Sequence, residues 1–86
     1  MLNVTHIKGI CHEVSEEVIR SIGLHGEMKS THEGYGVIKE EFDELWDLIK
    51  QTKHWDGDPE ARSKMRHEAI QVAAMAVKFI ANICEV

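Results

Sequence analysis

Among the side chains of this sequence that can do chemistry, two pairs stand out by spacing: Glu41 with Glu44, and Glu68 with Gln71. Residues three apart on an α-helix project in nearly the same direction, so each pair would present two oxygen-bearing groups to one side. Two such helices facing each other would bring four of these groups to a shared space. Carboxylates held that close and partly out of water repel one another unless they take up protons or a cation. Hard oxygen ligands suit Mg2+ or Mn2+, which keep several waters and bind phosphates through the remaining positions. The same spacing is also common on solvated helix faces, where acids pair with lysines, so spacing alone leaves both readings open.

The wheel position of these acids sharpens the point. Ile38, Phe42, Leu45 and Ile49 mark the centre of the expected buried face of the helix carrying the first pair. Glu41 and Glu44 flank Val37 and Leu48, one step off that centre, where a carboxylate is partly removed from water. Asp43 and Asp47 fall on the outer face, and Glu40 lies too far around to be a first choice. On the later helix Glu68 sits beside Val72 and Phe79, with Gln71 the next polar group one turn along. Arg62, Lys64, Arg66 and His67 form a basic cluster close to Glu68. From it Lys64 and Arg66 are candidates to contact phosphates, with His32 a further substrate-binding candidate, although such a run is also an ordinary solvated face.

Three helices must position these groups. Val4, Ile7, Cys11, Val14, Val18 and Ile22 recur at spacings of three and four and predict a first helix from about residue 3 to 23. Gly23 and Gly26 bracket a break, and Ser30 with Glu33 supplies the capping-box pattern that starts a second helix, which persists to about Thr52. Asp58, Pro59 and Glu60 read as an N-cap, a proline at the first helical position and an acid in the first turn of a third helix reaching about residue 84. Its apolar positions, Ile70 and Val77 among them, cover more than one narrow stripe. One neighbour cannot cover that width, so the expectation is an all-α single domain over 1–86 that completes its core by pairing with a copy of itself.

Composition narrows the function classes. A net charge of −5 disfavours unaided binding of nucleic acid, whose affinity rests on Lys and Arg neutralising phosphates. A phosphorylated ligand would need a bound cation to offset its charge. No stretch approaches the roughly 18 apolar residues that span a bilayer, and MLNVTHIKGICHE lacks the basic segment and apolar run of a secretory signal, so no membrane partner and a cytoplasmic location are expected. Cys11 and Cys84 show no CxxC spacing and are expected to be two buried thiols. The six histidines include no pair at the four-residue helical spacing of a zinc site. Trp46 and Trp55 suit either stacking on a base or anchoring an interface.

The segments EEFDELWDLI, residues 40–49, and RHEAIQVAAMAVKFI, residues 66–80, resemble the MazG and all-α nucleotide pyrophosphohydrolase superfamily. HEGYGVIKEEFDEL, residues 32–45, is similar to a phage or bacterial branch of it, and the likeness covers roughly 30–83. That family carries glutamate-x-x-glutamate on one helix and glutamate-x-x-aspartate on the next, the four acids binding Mg2+ in a bundle built by oligomerisation. Glu41 and Glu44 match the first pair and Glu68 the first acid of the second, whereas Gln71 stands where the aspartate is expected. This departure removes one charge and leaves a carbonyl oxygen that ligates weakly or orients a water. The resemblance implies hydrolysis of a nucleoside triphosphate between its α and β phosphates, with Mg2+ or Mn2+ as cofactor, Glu41 or Glu44 accepting the proton, and a dimer or tetramer as the working form. The competing expectation is a non-catalytic helical oligomerisation module that keeps the fold without the chemistry.

Overall fold

The computed structural model describes residues 2–53 and 55–85, with the backbone alone for Trp55. Any role for the Trp55 ring therefore lies outside the described residues. Three long helices carry the chain: α1 over Val4–His25, α2 over Thr31–Gln51 and α3 over Pro59–Phe79. A short 3-10 turn at Trp55–Gly57 precedes α3, and a π-helical turn at Ile80–Cys84 follows it. Among the described residues there is no strand, and no helix is long and apolar enough to cross a membrane.

Each helix boundary has a local cause. Asn3 caps α1 by accepting from the His6 N–H at 3.1 Å. The helix runs through Gly23 and stops at Gly26, whose φ of 73° is a left-handed backbone that glycine adopts without strain. Its N–H donates to the Ile22 carbonyl at 2.8 Å and closes the last turn. Ser30 accepts from the Glu33 N–H at 3.1 Å, while Glu33 reaches back to the Lys29 N–H at 3.3 Å, one residue earlier than in the usual reciprocal box. Asp58 accepts from Glu60 and Ala61 at 3.0 and 3.2 Å, with Pro59 beginning the helix as its missing N–H permits. The third helix does not hold α geometry to residue 84. Its last turn widens, and the Glu85 N–H closes on the Ile80 carbonyl five residues back at 3.0 Å.

The central element is α3, which packs against both α1 and α2, while those two make few contacts with each other. The core is thin: Val18, Met28, Ala74 and Met75 are buried, with Val14, Val37, Ile38, Phe79 and Ile83 packed around them. Gly34 lets this happen on α2, because a Cβ there would lie 2.8 Å from Phe79 Cε2 and 3.2 Å from the Met28 sulfur. The glycine earns its place as a close approach, not merely as a loosened first turn.

The buried face of α2 differs from the expected one. Gly34, Val37, Ile38, Glu41, Leu45 and Leu48 face inward, whereas Phe42 is 57% exposed and Tyr35, Trp46 and Ile49 are exposed with it. The face is rotated by about one position, because α3 meets α2 along the row that contains Gly34, where backbones can approach closely. On α1 the first half of the predicted stripe, Val4 and Ile7, is exposed because α3 covers only the part around Val14, Val18 and Ser21. Cys11 and Cys84 are exposed, not buried as the sequence suggested, since both lie outside the stretch that α3 and its neighbours cover.

Candidate metal centre

The rotation of α2 places Glu41 in the middle of the face turned to α3. Glu44, one turn on, and Glu68 of α3 meet it there: one carboxylate oxygen from each lies within 4.8 Å of the others. Glu41 and Glu68 are half-buried, and Glu44 is exposed, more open than its wheel position implied. One oxygen of Glu68, Oε2, is buried with no hydrogen-bond partner. A buried acceptor left without a donor costs free energy, which a proton or a cation would relieve.

The electrostatics follow from that crowding. Burial pushes the Glu41 carboxyl up from 4.5 to about 7, with the Glu44 charge and a hydrogen bond shared with Glu44 adding to it, and Glu68 and Glu40 contributing less. Glu68 is raised as well, by burial first and then by its hydrogen bond to Glu44 and that group's charge, with His67 opposing. Glu44 thus stands between the other two acids and couples to both. Metal-free, Glu41 keeps its proton up to about neutral pH; a divalent cation would be the other way to relieve the repulsion.

Gln71 carries its side chain toward α1. Glu17 is held below the usual carboxylate range by its hydrogen bond with Arg20 first, and the nearby Gln71 amide acts in the same direction. An aspartate at that position would have met Glu17 as a like charge; the amide can donate instead. Gln71, Glu41 and Glu17 of α1 border the same inter-helix cavity, so the amide lies between the acid trio and α1.

The basic candidates separate. Lys64 and Glu68, four apart on α3, share a cleft of about 530 Å3 with Glu44, Leu48, Gln51 and His67. Lys64 also pairs with Glu60 at 3.2 Å. Arg66 is two residues from Lys64, some 200° around the helix, and grips Glu13 of α1 through both terminal guanidinium nitrogens. That bond holds its charge on the α1 side, so Arg66 is not brought to the trio. His32 is exposed in the first turn of α2, nine residues before Glu41 and about 13 Å away along the axis, and it is not brought there either. His67 takes their place beside Glu68. Its position was available from the spacing 64, 67, 68, 71 on α3, which lies on one helical face. The part played by Glu17 had no such signal, since it depends on how α1 crosses α3.

Comparison with protein-family models, with curated proteins and with solved structures found no match for this chain.

Proposed function

We propose that the chain is a Mg2+-dependent nucleoside triphosphate pyrophosphohydrolase, splitting a (d)NTP into the monophosphate and pyrophosphate, with Mn2+ an alternative ion. The observation that carries this reading is the convergence of Glu41, Glu44 and Glu68 from two helices, with Glu68 Oε2 buried and unpartnered. These three carboxylates would hold the ion, with Gln71 close enough to orient a water in the outer shell. When bound, the ion supplies positive charge to the phosphates and makes water a better nucleophile near neutral pH. Whichever of Glu41 or Glu44 is less engaged accepts the water's proton at a free carboxylate oxygen. Lys64 and His67, on the rim of the adjoining cleft, bind outer phosphate oxygens. A cytoplasmic setting, where nucleoside triphosphates and Mg2+ meet, belongs to the same proposal.

The working form in this reading is a homo-oligomer. The solvent-accessible surface is 6509 Å2, against about 5,200 Å2 for a folded monomer of this mass. The difference exceeds the roughly 800 Å2 per partner of a stable interface. Tyr35, Phe42, Trp46 and Ile49, all exposed on α2, provide the apolar side chains to be covered.

The test is release of pyrophosphate from a panel of canonical and modified NTPs and dNTPs with Mg2+, using wild type and the Glu41→Gln, Glu68→Gln double variant. Wild-type release must exceed that of the variant; equal release removes the enzyme reading. The engagement of Gln71 with Glu17 favours one alternative, a helical oligomerisation module without catalysis. It predicts no rise in melting temperature with Mg2+ or Mn2+, where a metal-binding native state is stabilised by mass action.

A further inference from the structure

We infer that the cavity enclosed by all three helices receives the nucleobase, and that Lys78 and Ser21 read a ring carbonyl on it. The inference rests on the nucleotide reading above and names where the base goes. The cavity measures about 410 Å3, within the range of small-molecule sites, and is more enclosed than the cleft beside Lys64. Glu41 forms part of its wall, so a ligand seated there is contiguous with the acid trio.

Lys78 is the unusual group in that wall. It is 4% exposed, and its Nζ donates to Ser21 Oγ, itself buried, at 2.9 Å. Among the described residues no carboxylate lies within ion-pair distance of it. An ammonium has three N–H donors and no acceptor, so a single hydroxyl leaves two donors to place. A buried cation with no carboxylate at ion-pair distance is costly, and Lys78 lines the cavity.

The surrounding charges select the acceptor. Glu17, Glu27, Glu33, Glu40 and Glu41 line the cavity, and Arg20 on the same wall is already bound to Glu17. A phosphate would enter against those carboxylates, whereas a neutral carbonyl oxygen accepts from Lys78 without bringing charge. Met28 and Met75, both 5% exposed, and Val37 supply apolar walls for a flat ring, and thioether sulfur packs favourably at aromatic edges. The Met28 backbone is held in place by donating to Asn82 Oδ1 at 2.9 Å. Guanine, cytosine, thymine and uracil carry a ring carbonyl; adenine does not. With the base so placed, the phosphates run past Glu41 toward Glu44, Glu68 and the Lys64 cleft.

The test uses the full chain in EDTA, titrated with the deoxynucleosides of thymine, cytosine, guanine and adenine, and followed through the methyl resonances of Met28 and Met75. These probes carry no phosphate, so neither metal nor hydrolysis enters: the enzyme reading fails on pyrophosphate release and this inference on nucleoside binding. The three carbonyl-bearing nucleosides should shift both methyls, with deoxyadenosine the weakest ligand. Lys78→Met, similar in length and free of the buried charge, should weaken the three by about tenfold or more, as loss of a hydrogen bond from a charged donor does, and remove the discrimination against deoxyadenosine. Ser21→Ala should weaken them less. Circular dichroism melting shows whether each variant is folded, and the wild-type preference is read without either. No shift at Met28 and Met75 up to the solubility limit, or equal binding of all four nucleosides by wild type, overturns the inference, as does unchanged affinity in a folded Lys78→Met protein.

Discussion

Glu41 is where protonation has most leverage on this protein, because it is a carboxyl at the centre of a packed helix face with two other acids beside it. Its value moves from 4.5 to about 7, and Glu68 moves in the same direction. The sign follows: above 4.5 the unfolded chain releases protons that the metal-free fold retains, so the fold gains from Glu41 at low pH and loses that gain as pH rises through about 7. In EDTA the melting temperature should therefore fall across the window between about pH 5 and pH 8, and Glu41→Gln, which cannot release a proton, should flatten the fall. In the proposed enzyme Mg2+ would reverse the preference by binding the deprotonated trio, so the rise in melting temperature on adding it should be larger at the top of that window than at the bottom. The Glu41→Gln protein should show little of that rise. A calorimetric series over pH, with and without the ion, checks all of this.

At the level of the helices, the α2–α3 contact depends on a missing side chain. Gly34→Ala would ordinarily help a helix by about 1 kcal/mol, yet here the added methyl enters the space of the Phe79 ring. Overpacking costs about 1 to 3 kcal/mol, so the variant should be less stable than wild type in urea unfolding, against its helix propensity. A gain in stability would mean that α2 and α3 do not approach as closely as Phe79 and Gly34 imply. The helix starts were legible in the sequence because a cap is settled within one turn: Ser30 and Asp58 need only the N–H groups two or three residues on. The inward face of α2 was not, since Phe42 and Val37 are both apolar and only the shape of α3 decides between them.

For the molecule as a whole, the radius of gyration of 14.2 Å exceeds the roughly 12 Å of a compact domain of this length. The chain is open in the places where its large apolar side chains are exposed. Light scattering at micromolar concentration should report a multiple of 9.8 kDa. Replacing Phe42 and Trp46 together by lysine should return the mass toward that of one chain, because two charges would then have to be desolvated at the interface. Wild type that scatters as a monomer would leave the apolar strip of α2 without the partner proposed for it. Such a monomer would remove the oligomerisation module and the oligomeric working form of the enzyme alike, while leaving the trio assembled, since Glu41, Glu44 and Glu68 all come from one chain.

What the sequence by itself determined were the elements and the chemistry available to them: three amphipathic helices, the caps of the second and third, and glutamates at helical spacing. These follow from hydrogen bonds and periodicities that close within a few residues. The tertiary structure decided which groups meet. It brought Glu68 to Glu41 and Glu44, took Arg66 to Glu13 and Gln71 to Glu17, and buried Lys78 against Ser21. Those partners stand on different helices, and their meeting depends on crossing geometry and on the close approach at Gly34, which no local pattern encodes.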